Sequence, residues 1–165
     1  MTLPREPKTH VQVGLGSAGA RHQEAELRRD DDLPARFSID SHKPPLLNAK
    51  GGLSARHTYQ IQQFLKENFS RKLSLAEMAA VCDLSPYHFA RAFSKTFGVS
   101  PYQYVLALRL DLAEKLLADS RMSITDIADL SGFSSQSHFT TMMRKYRHAT
   151  PQQVRTGRRR SQSEK

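Results

Sequence analysis

One segment occurs twice in this chain, and the repetition limits the possible folds more than any other feature. Leu73-Ser74-Leu75-Ala76-Glu77-Met78-Ala79 aligns with Met122-Ser123-Ile124-Thr125-Asp126-Ile127-Ala128 at an offset of 49 residues. After one inserted residue the offset is 50: His88-Phe89 matches His138-Phe139, Lys95 matches Lys145, and Ser100-Pro101 matches Thr150-Pro151. Ser74 and Glu77 have the spacing of a capping box, in which a hydroxyl accepts from an orphan amide and a carboxylate reaches back. Ser123 and Asp126 repeat it with the shorter acid. Ser85-Pro86, Ser100-Pro101 and Thr150-Pro151 each join an N-cap hydroxyl to a proline at the first helical position, where no amide is missed. Each copy therefore reads as a short helix, a tight turn and a longer helix. Gly132 in the second turn supplies the freedom for a positive φ. That is the layout of a helix-turn-helix, whose second helix enters the major groove of DNA.

The hydrophobic periodicity around the repeat completes the map. Ile61, Phe64, Leu65 and Phe69 share one face of a helix ahead of the first copy. Seven helices are predicted, near 57–69, 75–82, 86–97, 101–118, 124–130, 136–147 and 151–156, and no strand competes. The predicted fold is all-α, with two helix-turn-helix subdomains, about 74–97 and 123–147, joined by a linker helix at 101–118. Before this unit, five prolines and five glycines interrupt any sustained period. Residues 1–55 are accordingly expected to be a disordered or weakly structured tail, 56–156 the domain, and 157–165 a basic tail.

Charge points to a class of partner. The 165 residues carry 25 Lys+Arg against 16 Asp+Glu, a net of +9, and +7 of it falls on 57–165. A basic surface of this kind attracts nucleic acid first. The chain is too short for a barrel or a large doubly wound enzyme. Its one cysteine, Cys82, allows neither an internal disulfide nor a cysteine-based zinc site, which fits a reducing cytoplasm. No apolar run is long enough to span a bilayer, and the N-terminus lacks the apolar stretch of a signal peptide. Gly14-Leu15-Gly16-Ser17-Ala18-Gly19 matches the dinucleotide pattern GxGxxG, yet no second parallel strand follows it, so it reads as a glycine-rich linker. The histidines show no metal-ligand spacing within one helix. The chain is therefore expected to be no enzyme, with no cofactor and no metal.

The repeated residues resemble the AraC/XylS family of bacterial transcription regulators. The match runs from about Thr58 to Arg155. It is densest in Pro101…Tyr104…Arg109…Ala113…Leu116-Leu117 and in Ile124…Ile127-Ala128…Gly132-Phe133-Ser134…Phe139…Pro151…Arg155. The resemblance implies seven helices, two helix-turn-helix units and a long linker helix. His148 departs from the family's usual Gly, and Met143 from its usual Phe. The resemblance also implies double-stranded DNA as the partner, bound by a monomer, with activation through RNA polymerase. A sensor domain of the kind many members carry is not expected in residues 1–55. Repression by occlusion, an RNA-binding or protein-binding helical module, and a dinucleotide enzyme are the competing readings.

The resemblance places base-reading positions at Tyr87, Ala90 and Arg91 in the first unit and at Gln136, Ser137 and Thr141 in the second. Arg91 has the fork to grip guanine O6 and N7, worth roughly 1–3 kcal/mol of discrimination, and Gln136 can read adenine N6 and N7 in the same manner. Ala90 can only touch a thymine methyl, and Thr141 is short enough to meet either thymine or phosphate. Lys95, Thr140, Arg144, Lys145 and Arg147 are expected at phosphates, as are the helix starts at Ser74, Ser123 and Thr150. Arg109 in the linker helix is expected to pair with a carboxylate. Cys82 reads as a small buried apolar residue.

Overall fold

The computed structural model describes Pro45, Leu46 and residues 50–163, the last six by their backbone alone. The glycine-rich motif at 14–19 and the side chains of Arg158, Arg159 and Arg160 lie outside what is described. Seven helices follow one another: α1 Ala55–Asn68, α2 Leu75–Ala80, α3 Pro86–Phe97, α4 Pro101–Asp119, α5 Ile124–Leu130, α6 Gln136–Arg147 and α7 Pro151–Ser163. No strand occurs among the described residues. The pattern of caps explains the boundaries. A serine accepts from the third helical amide at the start of α1 (Ser54), α2 (Ser74), α3 (Ser85), α4 (Ser100), α5 (Ser123) and α6 (Ser135).

The capping boxes are distributed differently from the sequence expectation. Ser74 and Glu77 bond reciprocally, as expected. Ser123 accepts from the Asp126 amide without a reciprocal bond, because the aspartate is one methylene too short to reach back. Full reciprocal pairs occur instead at Ser100 with Gln103 and at Thr150 with Gln153.

Repetition extends to the backbone of the two turns. In the first, Asp83 N–H donates to Ala80 O and Leu84 N–H to Ala79 O; in the second, Gly132 N–H donates to Asp129 O and Phe133 N–H to Ala128 O. Both turns use one residue at positive φ, 52° at Asp83 and 82° at Gly132. Aspartate tolerates that region because its short polar side chain can bond locally. The longer helices also end alike, on Gly98 at φ 74° and His148 at φ 53°.

Helix α4 joins the two units and serves both. Its buried residues include Tyr104, Val105, Leu106, Ala107, Leu110, Ala113 and Leu117, which surround the helix instead of marking one stripe. A helix apolar on all sides must be covered on all sides. In the first unit, Phe93 stacks on Phe89 and Phe97 at centroid distances of 5.4 and 4.3 Å and meets the edge of Tyr104 at 5.5 Å. In the second, Phe139, the counterpart of Phe89, lies 5.0 Å from Phe133. Deleting one such buried ring costs roughly 3–5 kcal/mol, so these aromatics anchor the longer helix of each unit.

The packed unit begins earlier than the expected boundary at residue 56. Leu53 is 2% exposed and belongs to the core. Its amide donates to Thr96 Oγ1 at 2.8 Å, and the Leu46 amide donates to Thr96 O at 3.0 Å. The segment thus docks on the last turn of α3, through a threonine that helical periodicity assigned no role.

Candidate nucleic-acid interface

Burial of Phe89, Phe93, Thr96 and Phe97 sets which face of α3 points away from the core. Tyr87, His88, Arg91 and Lys95 are exposed on it, and Ala90 is half-buried. Tyr87 is 65% exposed, unusual for a ring of that size unless something else covers it. Arg91 Nη1 donates to Tyr87 Oη at 2.9 Å, and the guanidinium lies 5.6 Å from the centre of that ring. The i, i+4 spacing brings the two together, so the guanidinium is held at the surface by a rigid neighbour.

On α6 the buried set is Phe139, Met143 and Tyr146, leaving Gln136, Ser137, Thr141, Arg144 and Lys145 exposed and Thr140 half-buried. Thr125 Oγ1, from α5, donates to Gln136 Oε1 at 2.8 Å. Thr141 Oγ1 donates to Ser137 O at 3.0 Å. That bond uses the hydroxyl proton and leaves a methyl group and an acceptor facing outward. Thr125 was not among the expected site residues, since its partner is eleven positions away and depends on how α5 crosses α6.

The cations divide into two kinds. Arg144 is exposed, Lys95 Nζ lies 3.5 Å from Lys50 O at the surface, and Lys145 Nζ lies 5.3 Å from the Tyr146 ring. Arg147 departs from its expected role as a phosphate contact. Its side chain is 7% exposed, with Nη2 2.7 Å from Asp111 and Nε 3.2 Å from Glu114. It is turned inward because two acids of α4 lie beneath it. The helix starts differ among themselves in how the N-cap amide is used. Ser74 N–H donates to Glu77 Oε2 and Thr150 N–H to Gln153 Oε1, so at these two starts the N-cap amide itself is occupied. At Ser123 the side chain accepts from the Asp126 amide, with no reciprocal bond from the aspartate.

Arg109 pairs with no carboxylate among the described residues. Its Nε donates to Phe69 O at 2.8 Å and its Nη2 to Arg71 O at 2.9 Å, and burial lowers its pKa. His138 is also lowered, first by burial and then by the Arg109 charge. Burial pushes the Cys82 thiol up to about 11, as befits a core residue with no reactive role. No cluster of three His, Cys, Asp or Glu able to hold a metal occurs among the described residues. No helix among them is long and apolar enough to cross a membrane.

Comparison with known proteins agrees with this geometry. A helix-turn-helix domain family matches residues 78–157. A crystal structure of a transcriptional regulator from Chromobacterium violaceum, of the AraC-type DNA-binding domain-containing proteins, is 30% identical, with a TM-score of 0.58. The alignment covers 62% of this chain and 92% of that one. The chain belongs to the AraC/XylS family of transcriptional regulators. Among curated members of the family, the HTH-type transcriptional regulator ExsA of Pseudomonas aeruginosa is 32% identical over 128 residues, 78% of this chain and 46% of that protein. The virulence regulon transcriptional activator VirF of Yersinia enterocolitica is 32% identical over 127 residues, 77% of this chain and 47% of that protein. The chain thus spans less than half the length of these AraC/XylS relatives.

Proposed function

We propose that the chain is a sequence-specific DNA-binding transcription regulator that lays α3 and α6 in successive major grooves of an asymmetric site. The observation that carries this reading is the matched pair of outward faces. Two helices at equivalent repeat positions each bury an aromatic side and present polar and cationic residues on the other. In α3 the readers are Tyr87, Ala90 and Arg91, and Arg91 grips guanine. In α6 they are Gln136, Ser137 and Thr141, with the Thr141 methyl suited to thymine. Lys95, Thr140, Arg144, Lys145 and the start of α5 at Ser123 meet phosphates. Helix α4, nineteen residues long, spans about 28 Å, compatible with two recognition helices one DNA turn of about 34 Å apart. One chain then makes the two contacts for which a symmetric dimer is ordinarily needed, and binds as a monomer over a unit of about 50–157.

Activation through contact with RNA polymerase is the direction proposed, in keeping with the activator named among the relatives. Repression by occlusion is separated from it by transcription in vitro from a promoter carrying the selected site. The binding test is a selection from a random duplex library followed by mobility-shift titration at two salt concentrations. Arg91→Ala is expected to lower affinity for the selected site by about tenfold, within the 1–3 kcal/mol of one bidentate contact, and to affect random DNA much less. Equal loss on both sequences would make Arg91 a phosphate contact. No shift of any duplex at low salt would overturn the DNA reading and favour a helical protein-binding or RNA-binding module.

A further inference from the structure

The loop between α1 and α2 lies between the two units, and both ends of the contact are built. From one side Arg109 of α4 holds two successive stretches of its backbone, through Phe69 O at 2.8 Å and Arg71 O at 2.9 Å. On the other side Gly132, in the turn of the second unit, approaches Ser70 so closely that any side chain would run into the Ser70 carbonyl. Three consecutive residues of the first unit, Phe69, Ser70 and Arg71, are thus gripped by the linker helix and by the second turn. A positive φ alone does not demand this glycine, because the equivalent Asp83 adopts the same region with a side chain. What demands it is the close approach.

A linker helix by itself is a single rod, about which two small units can rock. A second attachment away from the rod removes that freedom. We propose that Arg109 and Gly132 clamp the 69–71 loop and so set the one spacing of half-sites that the two recognition helices accept. Arg109 is a positioning residue here: it acts on DNA only by fixing α3 relative to α6. The proposal rests on the DNA reading above and deepens it. One inserted base pair moves the second half-site by about 3.4 Å and turns it by roughly a tenth of a helical turn. A rigid pair cannot follow that change, whereas a rocking pair can.

The test uses the full chain and two readouts. The first is affinity for the selected site and for versions lengthened or shortened by one base pair between the half-sites. The second is the distance between spin labels at Ala80→Cys and Asp129→Cys, exposed equivalent positions of the two units. Buried Cys82, with its thiol raised to about 11, leaves the introduced cysteines as the reactive ones. The wild type is expected to lose about tenfold or more on the altered spacings and to give one narrow distance. Arg109→Met, which keeps length but removes both donors, is expected to shrink that penalty to within about threefold and to broaden the distance. Arg109→Lys, with one donor head in place of a fork, carries the same comparison should the methionine variant lose its helical signal. Gly132→Ala is expected to act in the same direction by pushing the Ser70 carbonyl away. A variant that weakens binding equally at every spacing, with the distance unchanged, overturns the clamp. A wild type that shifts no duplex overturns the DNA reading, and the label distances still decide the clamp.

Discussion

The guanidinium of Arg147 lies 2.7 Å from Asp111 beneath the surface, while Lys145, two residues earlier on α6, is exposed. Adjacent cations of one helix therefore serve different ends, and substitution separates them. Arg147→Met removes the 2.7 Å ion pair with Asp111, whose side chain is 12% exposed. Breaking a buried pair by removing one side costs about 3 kcal/mol or more, so urea unfolding should show a clear loss of stability. Its salt dependence of DNA binding should be unchanged. Lys145→Ala should do the reverse, leaving stability nearly untouched and lowering the slope of log K against log salt by about 0.9. A fall in that slope for Arg147→Met would return Arg147 to the phosphate contacts. Sequence position could not distinguish these residues, because both fall in the basic last turn of an amphipathic helix. The acids that capture Arg147 come from α4, and Asp111 lies 36 positions away in the chain.

At the scale of the element, helix starts were legible because caps are local, whereas the last helix, expected to end at 156 with a tail from 157, continues to Ser163 because no local cap marks its end. A serine and the amide three residues on lie within one turn, so Ser85-Pro86 or Ser74…Glu77 announces a start without any knowledge of the fold. Helix ends are legible for the same reason where glycine marks them. At α6 the marker is missing: His148 adopts φ 53° at the C-cap, where α3 has Gly98. A non-glycine residue in that region costs about 1–2 kcal/mol, partly offset by the flexibility glycine adds to the unfolded chain. His148→Gly is thus expected to stabilise the protein by about 0.5–1 kcal/mol, read as a higher denaturation midpoint at unchanged slope. An unchanged or lower midpoint would mean that the histidine ring contributes more than the backbone loses. The tether from Thr125 to Gln136 was not legible, because it depends on how two helices cross.

Across the whole molecule, two titrating groups lean the same way. His138 has a pKa below the ordinary 6.5, so as pH falls past that value the unfolded chain binds its proton first. Stability from a depressed histidine is full above the unfolded pKa and is lost as pH falls towards the folded one. Glu77, lowered from 4.5 by the Ser74 amide and by Arg71, adds a loss of the same sign further down. The melting temperature is expected to decline steadily from about pH 7 towards about pH 4, and His138→Asn should flatten the first part of that decline. An unchanged profile in the variant would remove His138 as the cause.

The sequence by itself determined the all-α class, the duplicated helix-turn-helix, the helix map and the outward residues of α3 and α6. Those features rest on spacings of three, four and about fifty residues, and such spacings are written in the chain. Only the tertiary structure decided that Arg147 turns inward, that Arg109 holds two carbonyls of a distant loop, and that Leu53 enters the core. It also decided that Gly132 is required by the Ser70 carbonyl opposite it, which no reading of its own φ would show. Each of those depends on what another element places opposite the residue, and burial strengthens or cancels a charge according to that partner alone. The repetition specifies two similar units; the packing around α4 specifies how they stand to each other.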